Sequence, residues 1–234
     1  MSIRRNLVVN RDCKQNSTGN EFQMIITAPT ESLHLSPQWE RPDLHGVRQL
    51  AQFPVALIGD AQGRMGVMHS ALRSVTPGLK MAGTVLPINT REGDNLAIHR
   101  ALDDAREGDV LVINANSDTG RACFGDILGE ICINRGIAGV VIDGATRDID
   151  ELLAMGLPVF ARGISPAGPF KYGPGTIGAP VACGNVVCHP GDAILGDSDG
   201  IVVVPQGRIA AALERTAAQA NSEDNMRALI PSRA

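Results

Sequence analysis

The chain has 234 residues, a formal charge of −4 and 44% apolar residues, of which few are aromatic. With no Lys/Arg run and few aromatic platforms it is poorly equipped to bind nucleic acid, and its composition suits a Val, Ile, Leu, Ala and Gly core in tightly packed α/β layers. Five cysteines, no signal-type apolar region after Arg4 and Arg5, and no apolar run near the roughly 18 residues of a membrane span point to a reducing cytoplasm, with neither a disulfide framework nor a membrane partner.

Residues 1–45 are polar and aperiodic and read as an N-terminal arm or extension; residues 46–234 read as one α/β domain. Within it, 81–88 predicts a strand, 95–105 a helix and 110–113 a strand. Phe124, Ile127, Leu128, Ile131 and Cys132 recur at helical spacing and predict one apolar helix face, with Gly136 placed to end the helix. The unbroken apolar run 138–142 predicts a strand covered on both faces. A second helix starts near Asp148 and carries Ile149, Leu152 and Leu153, and 158–162 is a further strand. This β-α-β-α-β alternation implies a parallel sheet with helical crossovers. Residues 163–180 form a loop rich in Gly and Pro. Short strands follow over 181–188, 193–195 and 201–204, the last two joined by a hairpin through Asp197-Ser198-Asp199-Gly200, and 208–220 reads as a closing helix.

Several patterns are set aside. Gly173, Gly175 and Gly178 spell G-x-G-x-x-G, but Pro169, Pro174 and Pro180 interrupt the strand and helix that a dinucleotide site needs; a rigid surface loop, or a wall of an active site, is the better reading. Cys183, Cys188 and His189 lack the partners of a zinc site and read as core thiols plus a lone histidine. Lys14, Lys80 and Lys171 are the only lysines, and none stands where a desolvated Schiff-base lysine belongs. Carbonyl chemistry here would rely on a metal as Lewis acid.

The stronger constellation is Asp126 with Arg147 and Asp148. Asp126 opens the amphipathic helix; Arg147 and Asp148 follow the apolar strand at its carboxyl end, where ligands bind in open α/β sheets. First-turn backbone N–H groups around Ile127 and Leu128 can hold a carboxylate. Arg147 can clamp the same anion, and Asp148 is a hard oxygen ligand suited to Mg²⁺. A plainer reading is available for each: Asp148 followed by Glu151 is a helix-capping pattern, Asp126 complements a helix dipole, and Arg147 is a surface ion pair.

At these residues the sequence resembles the RraA-like proteins, whose enzymes include 4-hydroxy-4-methyl-2-oxoglutarate/4-carboxy-4-hydroxy-2-oxoadipate aldolases that also decarboxylate oxaloacetate. Their signature is an Asp, twenty residues, then Arg-Asp; here Asp126 is followed by residues 127–146 and then Arg147-Asp148. Gly125-Asp126-Ile127-Leu128, Gly139 to Gly144, Pro158 to Gly163, Pro190-Gly191-Asp192 and Gly196 to Pro205 are similar too, and the resemblance spans residues 54–215. It implies an α-β-β-α sandwich around the βαβαβ unit and the C-terminal hairpin region, assembled as a homotrimer or hexamer with sites between subunits. It implies a lyase that cleaves 4-hydroxy-2-oxo acids, decarboxylates oxaloacetate, or does both, through a metal-stabilised pyruvate enolate. Asp148 would ligate Mg²⁺ or Mn²⁺, Arg147 would bind the pyruvate moiety, and Asp126 would hold a water. The carboxylate of the small 2-oxo acid would meet the backbone at Gly125, Ile127 and Leu128. Some members of this family instead regulate an RNA-degrading endonuclease by binding it, and that alternative stays open.

Overall fold

The computed structural model describes residues 31–36 and 38–230. In chain order the elements are β1 (Leu33–Leu35), α1 (Leu44–Leu50), α2 (Val55–Ala61), β2 (Arg73–Ser74), β3 (Met81–Thr90), α3 (Leu96–Ala101), β4 (Asp109–Asn114), β5 (Ala122–Phe124), α4 (Asp126–Asn134), β6 (Gly139–Thr146), α5 (Ile149–Ala154), β7 (Val159–Ile164), β8 (Gly175–Ile177), β9 (Val181–Cys183), β10 (Val186–Cys188), β11 (Ala193–Asp197), β12 (Gly200–Val204) and α6 (Ile209–Ala228).

Period-two alternation along the strands sorts their side chains into separate cores. In β4, Leu111 and Ile113 join a cluster with Leu96 and Ile98 of α3, Leu128 and Cys132 of α4, and Leu152 of α5. Val110 and Val112 face the other way, packing with Val181, Cys183, Ile194, Ile201 and Val203 of the short C-terminal strands. Those strands alternate in turn: Leu195, Val202 and Val204 meet Val47 and Leu50 of α1, Ile58 of α2 and Ala212 of α6. Three cores thus separate four layers, α3–α5, the β3-β4-β6-β7 sheet, the β9–β12 strands, and α1, α2 and α6. This is the α-β-β-α sandwich. The runs 110–113 and 138–142 are apolar at every position because both faces of their strands are covered.

β3, β4, β6 and β7 are mutually parallel, so their carboxyl ends share one edge of the sheet. β5 adds a short parallel strand beside the end of β6, with Phe124 opposite Thr146. β11 pairs antiparallel with the start of β3, β8 with its end, and β1 lies parallel to β8. The 197–200 hairpin forms as the sequence indicates, Asp197 opposite Gly200.

Four local expectations change. The 163–180 stretch read as a loop contains the end of β7 and the strand β8. The helix foreseen over 95–105 is confined to Leu96–Ala101. In α4 the buried positions are Leu128, Gly129 and Cys132, whereas Phe124 belongs to β5 and Ile127 is 57% exposed. The closing helix runs on to Ala228. Of the 1–45 segment, residues 1–30 and 37 lie outside the described residues. The remainder packs on the domain: β1 joins the sheet, and Arg41 stacks on Trp39 while gripping buried Asp109 with two 2.7 Å hydrogen bonds. Among the described residues no helix is long and apolar enough to cross a membrane.

Candidate active site

The Asp126 and Arg147-Asp148 pair of segments meets because the chain between them goes out along α4 and returns through β6. Phe124 of β5 lies opposite Thr146 of β6, and Arg147 N–H donates to the Phe124 carbonyl at 3.1 Å. The residues that follow each strand, Gly125-Asp126 on one and Arg147-Asp148 on the other, therefore abut at the carboxyl edge of the sheet.

Asp148 stands at the N-cap position of α5, but its side chain makes no capping bond. Its backbone is left-handed (φ 57°, ψ 47°), which turns the carboxylate away from α5 and back toward α4. There Oδ2 accepts two hydrogen bonds, from Asp126 N–H and from Arg147 Nε, each at 3.2 Å. The capping role of the D-x-x-E pattern is thus not what the carboxylate does. A non-glycine residue held at positive φ with a cross-site hydrogen-bond role is the kind of local strain that accompanies function.

Glycines make room for this pair. A Cβ on Gly125 would collide with Asp148 Oδ2 and press on Arg147 at Cγ, 3.1 Å away, and Nε, 3.3 Å away. At the tip of the guanidinium, a Cβ on Gly168 would stand 3.0 Å from Arg147 Nη1. Arg147 therefore lies in a slot between two backbone segments. Gly125 has an extended backbone that any residue adopts (φ −168°), so its smallness, and not its flexibility, is what the site uses.

The α4 N-terminus offers fewer open donors than the sequence suggests. Asp126 N–H is bonded to Asp148, Ile127 N–H donates to Asp126 Oδ1 at 2.7 Å, and Gly129 N–H closes the first helical turn on Gly125. Among the described residues Leu128 N–H has no such partner. Asp126 is half-buried, and Arg147 and Asp148 keep 37% and 29% of their side-chain surface exposed. Both charges remain reachable from solvent, which a site for a small polar acid requires.

Among the described residues no group of three or more His, Cys, Asp or Glu side chains could hold a metal ion. Asp148 nonetheless suits Mg²⁺, which takes one or two carboxylates and keeps several waters: its Oδ2 is the atom engaged by protein donors, and among the described residues none donates to Oδ1. Asp126 is the second carboxylate at hand.

Two features were beyond sequence reasoning. Arg121, just before β5, donates through Nη1 to the Gly168 carbonyl and lies 4.4 Å over the Phe170 ring. Behind the site, Asp143 of β6 and Arg162 of β7 form a 2.6 Å ion pair, joined by Ser117 Oγ and Gly184 N–H. Burial would raise the Asp143 carboxyl, but hydrogen bonds from Arg162, Gly184 and Ser117 and the Arg162 charge outweigh it and hold the group below its ordinary range. Of the set-aside patterns, Gly173 and Gly178 turn at positive φ against Ser32 and Trp39, and Cys183 and Cys188 are buried free thiols whose burial pushes their pKa up.

The RraA-like family model (Aldolase/RraA) matches residues 55–203. A protein of Halalkalibacterium halodurans named "Putative 4-hydroxy-4-methyl-2-oxoglutarate aldolase" is 36% identical over 184 residues, covering 78% of this chain and 88% of its own. An Arabidopsis thaliana protein of the same name, numbered 3, is 30% identical over 161 residues, covering 66% of this chain and 96% of its own. The crystal structure of Streptomyces coelicolor RraAS2, described as an unusual member of the RNase ES inhibitor RraA protein family, superposes with a TM-score of 0.73 at 28% identity, covering 81% of this chain and all of that one.

Proposed function

Because this chain belongs to the RraA-like family, we propose that it is a metal-dependent lyase that cleaves 4-hydroxy-2-oxo acids to pyruvate, or decarboxylates oxaloacetate, at the Asp126, Arg147 and Asp148 site. The observation that carries this reading is the Asp148 carboxylate, turned off its own helix and joined to Arg147 and the α4 N-terminus. The aldolase names of the Halalkalibacterium and Arabidopsis proteins support it.

The reaction follows from these groups. Arg147 presents a fixed guanidinium, a fork suited to the carboxylate of a 2-oxo acid and to the oxygen that gains charge as the C3–C4 bond breaks. Leu128 N–H at the positive end of α4 offers a further donor to the carboxylate. Asp126, half-buried at the mouth, is placed to take the 4-hydroxyl proton, directly or through a water, as C4 leaves as a carbonyl. In decarboxylation CO₂ departs instead; in both reactions the enolate carbon then takes a proton, from water or, after aldol cleavage, from the acid that Asp126 has become. Asp148, with Asp126 near it, would hold Mg²⁺ or Mn²⁺, which when bound supplies Lewis-acid polarisation of the keto oxygen. The gap between Gly125 and Gly168 keeps Arg147 in register with that oxygen.

On the family resemblance the working form is a homotrimer or hexamer in the cytoplasm; exposed Ile127 and Ile164 beside the site are apolar surface that a neighbouring subunit would cover. A protein-binding regulator is the second reading, supported by the description of the Streptomyces structure. The complete Asp126, Arg147 and Asp148 set favours the enzyme, since binding alone has no use for it. The test is pyruvate release from a panel of 4-hydroxy-2-oxo acids and from oxaloacetate, with and without EDTA. Release that vanishes in EDTA and returns with Mg²⁺ or Mn²⁺ is expected. Full turnover in excess EDTA, or a lysine adduct trapped by borohydride, would overturn the proposal.

A further inference from the structure

The segment from Ser165 to Gly173 follows β7 and is tied down at the end of β6, at the start of β5 and in the loop after β3. Ser165 N–H donates to the Thr146 carbonyl at the end of β6, and Ser165 Oγ to the Gly120 carbonyl at 2.9 Å. Ala122 N–H donates to Ala167 at 2.9 Å, at the start of β5. Arg121 holds the Gly168 carbonyl and covers Phe170. Phe170 exchanges hydrogen bonds with Gly93 and Asn95 beyond β3, and buried Asp94 accepts from Tyr172 and Gly173 N–H. These bonds join residues some 20 to 80 positions apart, so the segment is a strap laid over the edge where the site opens.

We infer that this strap is the part of the protein that sets the position of Arg147, and that Arg121 is its positioning residue. The link is short. Arg121 fixes Gly168 through its carbonyl, and Gly168 is the backbone against Arg147 Nη1. Gly125 meets Arg147 along its stem and at Nε, so the strap supplies the contact at the guanidinium tip. The guanidinium of Arg121 has no need to touch substrate to act; it keeps the Gly168 carbonyl turned to itself and so leaves the Gly168 Cα facing Arg147. The Arg121 stem is itself seated on Gly93, where a Cβ would stand 2.7 Å from Arg121 Cδ. That contact couples the loop after β3 to the same device. This inference deepens the lyase reading and rests on it for its catalytic consequence, but not for its geometry.

Two readouts separate the two. The first needs no activity: phenylglyoxal labelling of Arg147, followed by peptide mass spectrometry, with exposed Arg64 as the internal reference. In Arg121→Ala the Arg147 labelling rate should rise several-fold while that of Arg64 stays the same. The second is turnover. Arg121→Ala should lower kcat/KM about tenfold or more, mostly in kcat, as misplacement of a clamp does, and Arg121→Lys, which can still donate to Gly168, should recover a large part. Gly168→Ala leaves the tether intact and pushes directly on Arg147, so it should lower kcat even if Arg121→Ala folds poorly. Unchanged Arg147 labelling in Arg121→Ala, or normal turnover in both Arg121→Ala and Gly168→Ala, overturns the strap inference and leaves the lyase standing. Absence of pyruvate release from the wild type overturns the lyase, while labelling still decides the strap.

Discussion

Replacing Asp148 with asparagine separates a working carboxylate from a structural one. The left-handed backbone at this position (φ 57°) suits Asn as well as Asp, and the side chain makes no capping bond that could be lost. Asn can also still accept from Asp126 N–H. What disappears is the charge: the ion pair to Arg147, and the hard ligand for a divalent cation. The ion pair joins side chains that are 37% and 29% exposed, so its loss should cost at most about 1 kcal/mol of stability. Catalysis should suffer far more. Weaker metal retention and a loosened Arg147 should lower kcat/KM about a hundredfold or more, roughly 2.7 kcal/mol of transition-state stabilisation. The assay couples pyruvate release to lactate dehydrogenase, with Mg²⁺ titrated to saturation, beside thermal melts of the metal-free protein. Asp148→Ala is the control for the backbone: it should lose both activity and, because alanine is strained at positive φ, about 1 kcal/mol of stability. Near-normal turnover of Asp148→Asn at saturating metal would refute the reasoning.

Gly125→Ala tests the slot from its other side. The new Cβ meets no conformational barrier, so melting should shift little, while the displaced Asp148 and Arg147 should reduce kcat/KM about tenfold or more; full activity would mean that the pair has room to spare. His99 gives a pH prediction. Burial, then the Lys171 charge, lowers its pKa from 6.5 to about 4. The unfolded chain therefore takes up this proton below 6.5 and the folded chain only near 4. The fold keeps its full stability from this site above 6.5 and loses up to about 3 kcal/mol of it as pH falls toward 4. His99→Gln should flatten the melting temperature against pH in that window, and an identical slope in the two proteins would show that His99 does not titrate as its surroundings dictate.

Much of this architecture is legible in the sequence because it obeys short-range periodicities. The apolar runs 110–113 and 138–142 mark doubly covered strands, and the twenty-residue spacing between Asp126 and Arg147 is the length of α4, a turn and β6. That spacing places the acid and the Arg-Asp pair together without any knowledge of the rest. What the sequence hides is set by contacts far apart along the chain. Ile127 fits the apolar period of α4 yet is exposed, because the buried stripe of the helix is Leu128, Gly129 and Cys132 and Phe124 belongs to β5. Asp148 looks like a cap, and only the pairing of β5 with β6 shows why its backbone turns left-handed and its carboxylate leaves α5. Arg121 and Gly168, 47 positions apart, carry no local signal that joins them. Nor do Arg41 and Asp109, which pin part of a polar segment to the core.

The claim that Arg147, Asp148 and the α4 N-terminus form one receptor for a 2-oxo carboxylate is tested most directly by calorimetric titration of oxalate, a stable mimic of the pyruvate enolate, with and without Mg²⁺. The account predicts that each ligand tightens the other, that wild-type protein binds oxalate only weakly in EDTA, and that Asp148→Asn abolishes the coupling. Oxalate that binds equally well with and without Mg²⁺, or that binds Asp148→Asn with the wild-type coupling, would contradict it.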